Sequence, residues 1–178
     1  MKGCRPLTKI EYQAVKNSFD NLRDKCLFVL GTKTGFRISE LLSLKVEDVA
    51  DENGVYDFVR VKRGYMKNKQ ESRQIVLHQE AKLVIKEYLM SCGIDSADWL
   101  FDYTRQAAHN ALKKAFKRSG LTGTLATHTM RKTFAKTVFD NTNNIYKTKQ
   151  ALGHKDISTT VKYLIVDQQE INEAILKD

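Results

Sequence analysis

The sequence predicts a mainly α-helical α+β domain with one small antiparallel sheet. Two observations carry that class. Apolar residues recur at helical spacing along most of the 178 residues. One stretch, Val55 to Leu77, instead has strand character on either side of a polar, basic turn. Hydrophobic residues make up 42% of the chain, enough for the core of a domain of ordinary size.

A capping box opens the first helix. Thr8 can accept from the backbone N–H of Glu11 while Glu11 reaches back, and Tyr12, Val15 and Phe19 follow at helical spacing. A second helix is expected over Asp24 to Lys33, its end bracketed by Gly31 and Gly35. Ile38, Leu41, Leu42 and Leu44 define a third, with Arg37 and Glu40 in its first turn. Val55, Phe58, Val59 and Val61 on one side, and Ile75 and Val76 on the other, predict an antiparallel strand pair joined by a long turn, Lys62 to Arg73. Helical periodicity returns at Ala81, Val84, Ile85, Tyr88 and Leu89, and again at Ala108, Ala111, Leu112, Ala115 and Phe116. Further helices are expected over Thr127 to Asp140, over Asn144 to Leu152, and from about Ser158 past Tyr163. The last segment differs: Ile171, Ala174 and Ile175 line one helical side, and its carboxylates outnumber its single lysine. An acidic amphipathic end suits docking on protein better than contact with DNA.

Thirty Lys and Arg against twenty-one Asp and Glu give a net charge of +9, which favours a polyanionic partner. The densest apolar run, Cys26 to Leu30, is far short of the roughly 20 residues of a spanning helix, so nucleic acid is preferred over membrane. The start of the chain lacks the apolar stretch of a secretory signal, and Cys4, Cys26 and Cys92 show neither close pairing nor metal-ligand spacing. A reducing, cytoplasmic setting is expected, with Cys26 in the core. On the helix around Leu112, Arg105, His109, Lys113 and Lys117 recur every four residues with Lys114 and Arg118 beside them, and no acidic residue interrupts them. A solvated face would look the same. A run of cations this pure suits a phosphate backbone better.

The chemistry lies in Arg37, His128, Arg131, His154 and Tyr163. Cleaving a phosphodiester requires fixed cations against the non-bridging oxygens, and a guanidinium supplies two parallel hydrogen bonds. Arg37 and Arg131 are the candidates, and His128, three residues before Arg131, is its neighbour on a helix start. Tyr163 is the candidate nucleophile. A free phenol has a pKa of about 10, so a base or a positive field must favour phenolate. Taken singly, each arginine could be a surface ion pair and Tyr163 a half-buried core residue.

The boxes Gly35-Phe36-Arg37-Ile38-Ser39-Glu40-Leu41-Leu42-Ser43-Leu44, His128-Thr129-Met130-Arg131 and Leu152-Gly153-His154, with Tyr163 nine positions on, resemble the tyrosine recombinase (phage integrase) family. The resemblance implies an integrase-like catalytic domain over residues 1–178 that works as a site-specific recombinase on double-stranded DNA; in a departure from most members of the family, an upstream core-binding domain is not expected in this chain. It implies attack by Tyr163 to give a 3′-phosphotyrosyl bond and a free 5′-hydroxyl, with no ATP, cofactor or metal. It further implies a lysine general acid in the basic turn, Lys67 or alternatively Lys69; a phosphate donor at His154; and a supporting carboxylate at Glu40. Lys69, Arg105, Lys113, Lys117 and Lys132 are the expected DNA contacts. The segment 165–178 would dock on a neighbouring protomer in a homotetramer on DNA, in a prokaryotic or viral setting. Met130 and Lys132 depart from the usual leucine and histidine of the second box. Two rival readings remain: a helix-turn-helix regulator built on Ile145 to Leu164 with Gly153 in the turn, and a type IB topoisomerase with the same phosphotyrosyl chemistry.

Overall fold

The computed structural model describes residues 3–61, 73–93, 95–161, 163–164 and 176. The chain divides into two compact units, Met1–Phe134 and Ala135–Asp178. That division falls inside a helix, where no change of composition marks it.

In the first unit the capping box is complete: Thr8 Oγ1 accepts from Glu11 N at 3.2 Å, and Glu11 Oε2 accepts from Thr8 N at 2.8 Å. It starts α1 (Lys9–Asn17). Arg5 donates to both oxygens of Glu11, at 2.8 and 2.6 Å, and these bonds hold the Glu11 carboxyl at about 2, well below its ordinary value. α2 (Leu22–Thr34) begins where Asn21 accepts from Asp24 N at 2.9 Å. Cys26, Leu27, Phe28, Val29 and Leu30 are consecutive and wholly buried, so α2 is covered on every side, as expected of a helix in the middle of a core. Short α3 (Ile38–Leu41) follows, less extended than the run to Leu44 suggested, and a 3₁₀ turn covers Val46–Asp48.

The expected antiparallel strand pair is present, and a second small pair precedes it. β1 (Ala50–Asp51) pairs with β2 (Gly54–Val55), and β3 (Phe58–Val61) pairs with β4 (Arg73–Val76) in the register Val59↔Ile75. Val55 therefore belongs to the first pair. Gly54 is at φ 125°, turning the chain, and Tyr56 N donates back to Val49 O at 2.9 Å, which separates β2 from β3. Val59 and Val61 point inward and Phe58 and Arg60 outward, the period of two expected of a half-buried strand. The turn 62–72 lies outside the described residues.

α4 (Gln79–Cys92) packs along α2, and its second residue Glu80 accepts from Lys16 of α1 at 2.7 Å and pairs with Lys33 of α2 at 2.9 Å. An isolated antiparallel bridge joins Lys45 to Trp99, with Lys45 Nζ 5.8 Å from the indole. α5 (Arg105–Arg118) completes the aromatic centre: Phe28 stacks on Tyr12 at 5.5 Å, lies 5.4 Å from Phe19, and meets Phe116 edge-on at 6.4 Å. α6 (Thr127–Thr142) starts in this unit and runs on past Phe134.

In the second unit, Asn144 caps α7 (Ile145–Leu152) by accepting from Tyr146 N and Lys147 N, and Gly153, at φ 64°, closes it. α8 (Ile157–Val161) is only five residues long. The sequence reading carried this helix past Tyr163, but Tyr163 lies on a turn. Among the described residues, no helix is long and apolar enough to cross a membrane.

Phe28 is the residue through which α1, α2 and α5 meet. Phe28→Ala is expected to cost about 3–5 kcal/mol in urea unfolding followed by circular dichroism; a loss below about 1 kcal/mol would mean the aromatic centre can collapse around the gap.

Candidate active site

The end of α2 sets the first half of the site. Gly35 caps the helix in the left-handed region at φ 62°. A Cβ there would lie 2.3 Å from Phe134 Cδ1, and one on Gly31 would lie 2.8 Å from Met130 Sδ. Two glycines thus let the start of α6 press against the end of α2. That approach brings Arg131 to Gly35, whose carbonyl oxygen accepts from Arg131 Nη1.

Glu40 completes the arrangement. Its side chain is 1% exposed, and it accepts from Arg37 N at 2.6 Å and from Arg37 Nη1 at 2.7 Å. Arg131, also 1% exposed, places Nη1 4.0 Å from the same carboxylate. One buried anion therefore orients two guanidinium groups, that of Arg37 through a single charge-assisted hydrogen bond backed by one from the Arg37 backbone, and that of Arg131 through charge.

These cations border a cavity of about 260 Å³ whose wall includes Arg37, Ser39, Arg105, Thr127, His128 and Arg131. His128 stands exposed at its edge, on the first turn of α6. Partial burial of the ring pushes its pKa below the ordinary histidine value, and the charges of Arg131, Arg105, Arg37 and Lys132 push it further the same way. At neutral pH the imidazole is therefore uncharged and able to accept a proton. The cavity's chemistry is that of an oxyanion receptor with a base beside it.

The second unit holds the other two expected groups. His154 is 8% exposed, follows Gly153, and its Nδ1 lies 2.9 Å from Thr160 Oγ1. Its ring centroid is 5.3 Å from that of Tyr163, at 60°. Tyr163 is partly buried, on a turn just beyond α8, its N–H donating to Thr160 O at 2.9 Å.

The expected residues thus fall into two sets: Arg37, Glu40, His128 and Arg131 in the first unit, and His154 and Tyr163 in the second. Lys67 and Lys69 lie outside the described residues. Lys113 and Lys117 are exposed on α5, whereas Lys114 and Arg118 pair with Asp20, so the stripe of free cations is narrower than the sequence suggested. Lys132, an expected DNA contact, is 8% exposed, its Nζ 3.7 Å from where a Gly3 side chain would begin, so it packs against the N-terminal segment. Sequence reasoning placed Arg105 on a DNA-facing stripe but missed that it walls the cavity. The local signal was Thr104, whose cap fixes Arg105 as the first residue of α5. Among the described residues no three His, Cys, Asp or Glu side chains cluster at metal-ligating distance.

The mainly helical fold with its small antiparallel strands is that of integrase catalytic domains. Among solved structures, a XerA recombinase superposes with a TM-score of 0.80 at 22% identity, over 98% of this chain and 63% of that one. The catalytic domain of bacteriophage HP1 integrase superposes with a TM-score of 0.68 at 20% identity, over 99% and 96%. At these identities the likeness is one of fold. The model of the phage integrase family matches residues 7–170, and the chain belongs to that family. It is 31% identical to a tyrosine recombinase XerA of Saccharolobus solfataricus over 99% of this chain and 57% of that protein. It is 30% identical to a probable integrase/recombinase, YoeC, of Bacillus subtilis over 98% and 94%. The chain thus spans little more than half of the XerA relative and nearly all of the YoeC one.

Glu40→Gln keeps the shape of the side chain but removes the charge both arginines face. It is expected to lower stability by about 3 kcal/mol in denaturant at pH 7, and a change within about 0.5 kcal/mol would show that the carboxylate does not hold the pair.

Proposed function

We propose that this chain carries the strand-cleaving chemistry of a site-specific DNA recombinase. The observation that supports it best is the buried Glu40 carboxylate, which presents Arg37 and Arg131 to one phosphate-sized cavity beside an uncharged His128. In this reading the arginines bind the non-bridging oxygens of the reacting phosphate and stabilise the charge that builds there. Each such contact is worth about 10²–10³ in rate. The Tyr163 phenol oxygen attacks phosphorus, its proton passes to His128, and a 3′-phosphotyrosyl bond forms as the 5′-oxygen leaves. Lys67, or else Lys69, gives the leaving oxygen its proton, and His154 donates to the phosphate. Attack by a 5′-hydroxyl of a partner duplex reverses these steps. The phosphotyrosyl link retains the bond energy, so the cycle as proposed draws on neither ATP nor a metal.

Lys113 and Lys117, exposed on α5, are proposed to track the phosphate backbone. The acidic segment 165–178 is proposed to dock on a neighbouring copy and to join four copies on DNA. Among relatives of the same fold, XerH has been seen bound to its palindromic difH substrate in a post-cleavage complex; it superposes with a TM-score of 0.79 at 24% identity over 96% of this chain and 51% of that one. The helix-turn-helix reading gains the α7–Gly153–α8 turn, but α8 is short for a recognition helix and that reading leaves the Glu40 cluster without a use.

The test is a covalent one. Incubated with nicked duplexes that trap the intermediate, the wild type is expected to give an SDS-resistant protein–DNA adduct. Tyr163→Phe should give none while binding the same duplexes equally. Adduct formation that survives the substitution would remove Tyr163 from the reaction; relaxation of supercoils by single copies, without exchange between sites, would favour the topoisomerase. Separately, Lys113→Gln and Lys117→Gln are each expected to flatten the slope of log affinity against log salt by about 0.9 in fluorescence anisotropy; an unchanged slope would take that lysine off the DNA.

A further inference from the structure

Arg105 has no part in the cleavage steps above, yet its side chain walls the same cavity as Arg37, His128 and Arg131. Thr104 fixes it there. The Thr104 hydroxyl accepts from Ala107 N at 3.1 Å, which starts α5 at Arg105 and sets this guanidinium at the cavity's rim. Arg105 and Arg131 are placed very differently. Arg131 is buried, with its Nη1 committed to Gly35 O and facing Glu40, whereas Arg105 is exposed and has no carboxylate within ion-pairing distance among the described residues.

His128 is surrounded by charge of one sign. Arg37 faces it from the start of α3, Arg105 from α5, and Arg131 and Lys132 from its own helix α6. The acidic group nearby, Glu40, is engaged by Arg37 and Arg131. Of these cations, Arg105 combines exposure to solvent with freedom from an ion-pair partner among the described residues, so it is the one an entering phosphate could most readily neutralise. A positive neighbour disfavours the imidazolium, and an anion placed against that neighbour cancels the effect.

We propose that Arg105 is a positioning residue that acts through His128: the two line one cavity, Arg105 is the exposed arginine of its wall, and a DNA phosphate that engages Arg105 removes a positive charge from beside the imidazole, so that His128 takes up a proton readily only once DNA is seated. The second half rests on the recombinase reading; the first half does not. Linkage makes the effect reciprocal, so protonation of His128 and DNA binding each favour the other. The protein would thereby keep its base idle until the phosphate that needs it is present.

The experiment follows the His128 imidazole C–H resonance through a pH titration at low salt, assigned by its loss in H128N. It uses the full chain in four forms: wild type, R105Q, R105K, and Y163F so that duplex can be added without cleavage. Without DNA, R105Q is expected to move the His128 midpoint to higher pH, R105K to restore it, and added salt to shrink the difference. A saturating short duplex of random sequence should raise the midpoint in the Y163F protein, and raise it less when R105Q is added to that background. An R105Q midpoint equal to that of wild type overturns the proposal, as does an R105K midpoint that follows R105Q. Equal duplex-induced shifts with and without Arg105 overturn its second half. The DNA-free titration needs no cleavage. Absence of the covalent adduct in the wild type would therefore sink the recombinase reading and leave the tuning of His128 standing, whereas an unmoved midpoint would sink the tuning alone.

Discussion

The site depends on a single buried anion. Glu40 is nearly inaccessible, and it sits where the N–H of Arg37, the guanidinium of Arg37 and the charge of Arg131 converge. A carboxylate out of water costs several kcal/mol unless its oxygens are satisfied, and here the same groups that satisfy it are the ones the cavity needs. The exchange is mutual. Arg131 is tolerated in a fully buried position because Glu40 and the Gly35 carbonyl receive it. Removing Glu40 would leave the buried Arg131 charge with the Gly35 carbonyl but without the carboxylate that faces it.

Backbone geometry makes this possible. Gly31 and Gly35 lie where any side chain would collide with Met130 or Phe134, so α6 can approach α2 closely enough for Arg131 to reach the Gly35 carbonyl. The core behind them is rigid: five consecutive residues of α2 are wholly buried, and Phe28 is gripped by aromatic rings from α1, α5 and the loop before α2. Positive charge is distributed with comparable economy. Asp20 draws in Lys114 and Arg118, which leaves Arg105, Lys113 and Lys117 as the α5 cations outside an ion pair among the described residues.

Much of this was legible in the residues. The Thr8 capping box, the strand pair around the basic turn and the helices over α2, α4, α5 and α7 follow from local rules that the tertiary structure did not override. The spacing His128-x-x-Arg131 marked a shared helical turn, and the box around Arg37 marked Glu40. What could not be read was set by packing at a distance. Lys132 gave no sign of its burial, because sequence alone does not reveal the N-terminal segment that packs against it. Arg105 looked like one of a periodic stripe, and only the fold showed that the first residue of that stripe borders a cavity made by other elements. The separate β1–β2 hairpin was hidden because two-residue strands carry no periodicity.

The lone tryptophan has an optical consequence. Trp99 belongs to the first unit, half-exposed, bridged to Lys45 and overlaid by its ammonium. Emission excited at the red edge of the protein spectrum comes from that indole and from nowhere in Ala135–Asp178. A fluorescence melt is therefore a selective view of the unit that carries the arginines, silent about the unit that carries Tyr163. Set beside a backbone signal that sees both, it turns a single ring into a gauge of whether the two units lose their structure together.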